Sequence, residues 1–151
     1  MRWATGDADP YPATVARYVI DDQTLLELVD RAIPLHPNHQ LVAPNVIRSE
    51  ALQRLLDDVL AGRRREVDAL NTHERVTETR MRLLGDRTSR RAAWQLAREN
   101  GWDDLRDAHY LAVARLQADA LVTSDPHLSS RANGIVALAP LSALSTADPH
   151  P

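Results

Sequence analysis

The stretch "ARYVIDDQTLLELV", residues 16–29, places two acids directly after a short apolar run. Residues 18–20 have the pattern of a buried strand, and the apolar side chains of residues 25–29 follow at helical spacing. The stretch therefore predicts a strand, a tight turn and a helix, with Asp21 and Asp22 at the carboxyl end of the strand. In open α/β sheets, ligands bind at that end of the strands.

The same alternation of strand and helix continues along the chain. Further strands are predicted at residues 41–44, 81–84, 118–125 and 134–140, and the helices between them at residues 45–61, 63–77, 88–100 and 103–116. Strands that alternate with helices indicate parallel pairing. We expect an α/β fold with a central parallel sheet of about five short strands and helices on both faces.

The domain boundaries follow from composition. Residues 1–15, "MRWATGDADPYPATV", mix proline, glycine and aspartate without periodicity and predict a loose extension. One domain is expected over residues 16–145, because the chain of 151 residues has the length of a single core. Residues 146–151 are expected to form a flexible tail.

The composition is that of a soluble globular protein, with 44% hydrophobic and 26% charged residues. The apolar runs are too short to cross a bilayer, and the amino-terminal residues lack the apolar segment of a signal peptide. We therefore expect a cytoplasmic protein that has no membrane partner.

The basic residues exclude several chemistries, because all 18 are arginine and none is lysine. P-loop phosphate binding, Schiff-base catalysis and Ser-Lys hydrolysis each require a lysine. The absence of cysteine removes thiol catalysis and disulfides. A net charge of −3 argues against a broad basic surface for nucleic acid but is compatible with a nuclease whose bound cations supply positive charge.

Two phosphoryl-transfer families begin with a similar acidic pair. A response-regulator receiver domain also requires a lysine after its last strand, which this chain cannot supply. A haloacid-dehalogenase phosphatase requires an aspartate two places after the first one, where this chain has Gln23. Both alternatives are set aside.

Three further acids lie where a solvated surface would not place them. Glu50 falls in the first turns of the helix after the second strand, and Asp107 lies on the apolar stripe that includes Leu111. Asp125 ends its strand as Asp21 ends the first one. Taken singly, a strand-end aspartate is commonly a helix N-cap, which is the ordinary alternative for each of these two.

Together these acids predict a cation site. The carboxyl ends of parallel strands meet at one edge of a sheet, so Asp21, Glu50, Asp107 and Asp125 are expected to converge. A group of carboxylates that repel one another is stabilised by hard divalent cations, and we expect one or two such ions bound by oxygen. Such a cation can activate water for attack on a phosphodiester.

This constellation resembles the PIN-domain ribonucleases and, within them, the VapC-type toxins of bacterial toxin-antitoxin pairs. The motifs that carry the resemblance are "YVIDDQTLLELV", "LVAPNVIRSEALQRLL" and "LRDAHYLAVARLQADALVTSD", and it extends from residue 17 to about residue 141. The resemblance implies that the family's metal-binding and catalytic acids are Asp21, Glu50, Asp107 and Asp125. Thr123 matches a threonine that supports the site.

The same resemblance implies the activity and the partners. We expect an endoribonuclease that depends on Mg2+ or Mn2+ and is the toxin of a type II toxin-antitoxin pair. It is expected to form a homodimer and to be blocked by a small antitoxin. The alternative is a non-catalytic PIN-like module that binds RNA or a protein. Asp22 stands where the family has a small residue and is expected to support the site. Arg48 and Arg106 lie close in sequence to the proposed acids, and each is a candidate either for RNA binding or for balancing the charge of the cluster.

Overall fold

The computed structural model describes residues 16–146. The extension predicted for residues 1–15 and all but the first residue of the predicted tail lie outside the described residues. The strands are β1 (Arg17–Ile20), β2 (Gln40–Pro44), β3 (Arg82–Leu84) and β4 (Ala120–Val122). They form a parallel sheet in the order β3-β2-β1-β4. This confirms the predicted α/β class.

Six α-helices flank this sheet within the described part of the chain. They are α1 (Asp22–Asp30), α2 (Ile47–Leu60), α3 (Glu66–Glu78), α4 (Arg87–Asn100), α5 (Arg106–Gln117) and α6 (Pro126–Ala132), and a 3-10 helix follows at Leu141–Ser145. Helix α4 ends at Gly101, whose φ of 70° is the left-handed conformation that glycine adopts readily. The Asn-Gly pair at residues 100–101 therefore ends α4.

The predicted fifth strand at residues 134–140 is wrong. Of this segment, only Leu138 pairs with the sheet, through one isolated parallel bridge to Leu121 of β4. The segment begins at Gly134, which has a φ of 80°, and ends at Pro140, which has no N–H to donate. The backbone N–H groups of Ile135 and Val136 bond back to the carbonyl of Ala132 in the turn after α6, so only the end of the segment lies beside β4, and the sheet has four strands.

The register of the sheet places the ends of β1 and β4 side by side. Val19 pairs with Val42 of β2 and with Leu121 of β4, while Ile20 pairs with Val122. These side chains are fully or almost fully buried, so the position of the strand ends is fixed by core packing. The residues that follow β1 and β4 therefore emerge at the same edge of the sheet.

Helix α5 is the central helix of the core. Seven of its twelve residues are buried, and it packs against β1, β2 and α4. Its buried position explains why an acid in its first turn is withdrawn from water. Across residues 16–146, every helix is too short or too polar to span a lipid bilayer.

A cluster of carboxylates at the strand ends

Asp21 is the most enclosed acid of the cluster, with 0% of its surface exposed. It follows β1 directly and is the N-cap of α1, where its Oδ1 accepts a hydrogen bond from the backbone N–H of Thr24 at 3.1 Å. Its Oδ2 accepts a hydrogen bond from the Thr123 hydroxyl at 3.0 Å. Among the residues that the structure describes, no basic side chain makes an ion pair with Asp21, so this carboxylate is held by hydrogen bonds alone.

Thr123 connects the two strand ends that carry aspartates. Its hydroxyl donates to Asp21 and accepts from the backbone N–H of Asp125 at 3.0 Å. Thr24, which is fully buried, adds a second link because its hydroxyl accepts from the backbone N–H of Ser124 at 3.2 Å. The β1 and β4 ends are thereby held in one fixed arrangement.

Glu50 reaches the cluster from the first turn of α2. Its Oε1 accepts a 2.6 Å hydrogen bond from the hydroxyl of Tyr110, a fully buried residue of α5. Its Oε2 lies 3.8 Å from the Nε of Arg106. Both carboxylate oxygens of Glu50 therefore have a partner on α5, although the side chain is only partly buried.

Asp107, in the first turn of α5, is 3% exposed and is bound by two arginines. Its Oδ1 accepts from Arg106 at 2.6 Å, and its Oδ2 accepts from Arg131 of α6 at 3.1 Å. The guanidinium of Arg131 also lies 4.7 Å from the centre of the Trp102 ring, an arrangement that holds the arginine in place.

Asp125 is the N-cap of α6, and its Oδ1 accepts from the backbone N–H of His127 at 2.9 Å. Its Oδ2 lies 3.9 Å from Arg106. The N-cap role that sequence patterns allow for Asp21 and Asp125 is therefore present at both positions. In each case the second carboxylate oxygen remains directed to the cluster.

Arg106 occupies the centre of the cluster. Its guanidinium makes ion pairs with Asp107, Glu50 and Asp125, and it also pairs with Asp22. It lies 5.3 Å from the centre of the Tyr110 ring. One cationic side chain therefore contacts three of the four predicted metal-binding acids.

Asp22 is itself 3% exposed and holds a second arginine, Arg54 of α2, at 2.5 Å. Its carboxylate thus binds arginines from two helices, α2 and α5. Arg48, the other arginine predicted near the site, donates to the backbone carbonyls of Thr79 at 2.7 Å and Val76 at 3.4 Å. These bonds tie α2 to the end of α3, and an RNA contact by Arg48 stays a prediction.

Burial changes the acidity of the cluster. Burial raises the pKa of Asp21 above its usual range, and hydrogen bonds from Thr24 and Thr123 only partly oppose this. Burial also raises the pKa of Glu50, against the hydrogen bond from Tyr110. Burial alone would lower the pKa of Arg106, but the nearby charge of Asp22 and the hydrogen bond to Asp107 outweigh it and raise that pKa. The arginine stays charged, while Asp21 and Glu50 resist ionisation.

We expect the contribution of Asp21 to the stability of the metal-free protein to fall as the pH rises through the carboxyl range, because the raised pKa of Asp21 means that the folded state holds its proton longer than the unfolded chain. Below the usual carboxyl pKa both states are protonated, and the penalty is absent. Thermal unfolding of the wild type and of Asp21→Asn should therefore diverge with rising pH, with the wild type falling behind. A constant difference across the pH range would contradict a raised pKa of Asp21.

The donor set fits a hard divalent cation, because Asp21, Glu50, Asp107 and Asp125 offer only carboxylate oxygens. The ion pairs of Arg106 mark the place where three of them surround a positive charge. Within residues 16–146, however, no three acids or histidines stand close enough to hold one ion with the side chains as they are. The guanidinium of Arg106 lies within 4 Å of three of these acids.

Four side chains that form hydrogen bonds within the site were not predicted from the sequence. Tyr110 donates to Glu50, and Arg131 donates to Asp107. Arg54 donates to Asp22 beside Asp21, and the Thr24 hydroxyl accepts from the backbone N–H of Ser124 beside Asp125. The only signal for Tyr110 was its place one helical turn after Asp107. Nothing local to the other three marked them.

Comparisons with known proteins agree with this architecture. The crystal structure of PAE2754 from Pyrobaculum aerophilum aligns with a TM-score of 0.66 and 24% identity over 87% of this chain and 94% of that one. VapBC-1 from nontypeable Haemophilus influenzae aligns with a TM-score of 0.53 and 15% identity over 83% of this chain and 98% of that one. At these identities the likeness establishes the fold. A search of curated proteins found no match.

The family assignment rests on the sequence itself. The profile of the PIN domain matches residues 13–134, which covers β1 to α6 and includes all four acids of the cluster. The resemblance expected from the motifs is confirmed, and the chain belongs to the PIN domain family.

Proposed function

We propose that the protein is a metal-dependent endoribonuclease that hydrolyses RNA phosphodiester bonds. The observation that carries this proposal is the convergence of Glu50, Asp107 and Asp125 on one cationic group beside the buried Asp21. Apolar side chains would pack better at these four positions than carboxylates that need hydrogen bonds, so packing does not explain the acids. Membership of the PIN domain family supports a nuclease role.

In this proposal Asp21, Glu50, Asp107 and Asp125 hold Mg2+ or Mn2+. The cation supplies positive charge that activates water and stabilises charge on the phosphate. Thr123 keeps the Asp21 carboxylate oriented, and Tyr110 does the same for Glu50. Because Asp21 is buried, water is largely excluded from its side of the site, which strengthens its attraction for a cation.

RNA binding is proposed to use Arg106, whose side chain lies at the centre of the cluster and is 30% exposed. A guanidinium there can contact a phosphate oxygen with two N–H groups. Arg48 remains a second candidate, although its present bonds to carbonyls must be given up for that purpose.

We further propose that the nuclease is the toxin of a toxin-antitoxin pair, acts in the cytoplasm and forms a homodimer. The structural likeness to VapBC-1 suggests an antitoxin partner. Large apolar side chains exposed along α2 and α3 offer a surface for protein partners. They are Leu52, Leu56, Leu60, Val67 and Leu70.

Expression of the wild-type chain alone is expected to arrest bacterial growth, because free toxin would cut cellular RNA. Expression of Asp21→Asn at the same level is the control and should leave growth unchanged. Co-expression of a small protein from the adjacent reading frame should restore growth and co-purify with the chain. Equal growth with both forms would contradict the toxin role without touching RNA cleavage in vitro.

A second candidate function is a PIN-like module that binds RNA or protein without cleaving it. The observation that favours it is the position of Arg106, which neutralises the acids without any metal. In that case the cluster would be a structural ion-pair network.

Cleavage of labelled single-stranded RNA of mixed sequence separates the two candidates. The nuclease proposal predicts fragments with Mn2+ or Mg2+ and none after chelation with EDTA. An intact substrate under all conditions, together with retention of the RNA in a binding assay, would favour the non-catalytic module.

A further inference from the structure

We infer that Arg106 is a built-in counter-cation of the acidic site, which a divalent cation must displace in order to bind. This inference rests on the metal site of the proposed function and adds a competitor for it that belongs to the chain. Arg106 would thereby set the metal affinity of the protein.

The contacts of Arg106 overlap with those of the proposed metal. Its NH1 lies 2.6 Å from Asp107 and 3.9 Å from Asp125, and its Nε lies 3.8 Å from Glu50. An ion that binds these oxygens at the usual distance of about 2.0–2.6 Å needs the same space. The guanidinium and the cation are therefore mutually exclusive in this arrangement.

Charge gives a second reason for exclusion. With Arg106 in place, an added divalent cation would meet a fixed positive charge within a few ångströms, in a partly buried site that screens charges poorly. An arginine side chain keeps its charge in proteins, so Arg106 does not escape this repulsion by losing its proton. The repulsion can only be relieved by moving the side chain.

Arg106 is exposed enough to move away from the acids, and it has one further partner that can retain it. Its side chain is 30% exposed, so it can turn toward solvent without repacking the core. Asp22, its fourth partner, is not among the predicted metal-binding acids and can keep hold of the guanidinium after the others let go. This gives a physical role to Asp22, an acid at a position where a small residue is expected.

The size of the effect depends on how often the site is free. A ligand that binds only the open state has its apparent affinity reduced by the fraction of molecules in that state. If Arg106 fills the site in about nine molecules of ten, the apparent Kd for metal is about tenfold weaker than the intrinsic one. Removing the arginine charge should recover that factor.

The test is calorimetric titration of Mn2+ into metal-free wild type and Arg106→Gln. We expect the variant to bind Mn2+ about tenfold more tightly or better, and to have a lower melting temperature without metal because its acids have lost their counter-charge. Arg54→Gln is the matched control: it removes an equal charge and another partner of Asp22 but no contact with the metal-binding acids. It should change the Kd by less than about threefold.

The outcomes separate this inference from the proposed function. Saturable binding with the same or weaker affinity in Arg106→Gln would overturn the role of Arg106 and leave the metal site standing. Absence of binding by both proteins would overturn both. Equal tightening in Arg54→Gln would assign the effect to general charge and also contradict displacement.

Two further measurements keep the inference testable if Arg106→Gln does not fold. Arg106→Lys retains the charge but cannot span three carboxylates at once, so its metal affinity should lie between those of the wild type and a site without the charge. In the wild type, the NMR signal of the Arg106 side-chain Nε–H should shift as diamagnetic Mg2+ is added. An unmoved signal at saturating Mg2+ would contradict displacement.

Discussion

Asp21→Asn is expected to lower RNA cleavage by more than about a hundredfold without unfolding the protein. Changes to the outer partners of metal ligands already cost about 10- to 100-fold, and Asp21 is a proposed ligand. An asparagine can still accept the hydrogen bond from Thr24 and can donate to Thr123, so the strand ends stay connected. Removing a buried charge that has no cation should leave the metal-free protein equally stable or more stable.

The measurement is the RNA cleavage rate with Mn2+, together with the melting temperature of the metal-free protein. Asp86→Asn is a matched control, because Asp86 caps α4 through the N–H of Ser89 just as Asp21 caps α1. That control should cleave RNA at the wild-type rate. Cleavage by Asp21→Asn within a few fold of the wild type would contradict the role of Asp21.

Asp107→Asn is expected to lower RNA cleavage by a factor similar to that of Asp21→Asn. Unlike Asp21→Asn, it is expected to lower the stability of the metal-free protein. Asp107 accepts charged hydrogen bonds from Arg106 and Arg131, and an amide cannot satisfy both arginines. Loss of a hydrogen bond to a charged group costs about 1.5–3 kcal/mol, so we expect the metal-free variant to lose about 2 kcal/mol of unfolding free energy.

Urea unfolding of the metal-free protein measures this difference directly, and the RNA assay measures activity. Asp103→Asn changes an exposed acid just before α5 and should match the wild type in both assays. If the metal-free Asp107→Asn protein were as stable as the wild type, the two arginine contacts would not contribute as the structure indicates.

The opposite signs of these two stability effects come from what surrounds each carboxylate. Asp21 is buried with neutral hydrogen-bond donors, whereas Asp107 is buried between two cations. Both variants are expected to be inactive, so the RNA assay alone does not distinguish them. Only the stability measurement separates Asp21, which has no arginine partner, from Asp107, whose two arginine contacts also stabilise the fold.

The order of strands and helices was predictable because it depends on local periodicity. Apolar runs such as residues 18–20 and the helical spacing that follows them report burial directly. The segment at residues 134–140 has the same apolar pattern but makes one bridge, because its first residues form the turn after α6, which periodicity does not reveal.

The positions of the acids were predictable for the same reason, because strand ends in a parallel sheet meet at one edge. Asp21 and Asp125 are joined through Thr123 as that argument requires. The central place of Arg106 was not predictable, since it depends on the direction of one long side chain among partners up to 84 residues away along the chain. The bond from Tyr110 to Glu50 spans 60 residues and has the same origin.

The most direct test of the account compares metal binding with RNA cleavage in the wild-type protein. Mn2+ is titrated while binding is followed by calorimetry and cleavage of a labelled RNA is followed in parallel samples. We predict that cleavage is absent without metal and that its half-maximal Mn2+ concentration coincides with the Kd. Cleavage at full rate in EDTA, or the absence of saturable Mn2+ binding, would contradict the proposal that this acidic cluster is a metal-dependent nuclease site.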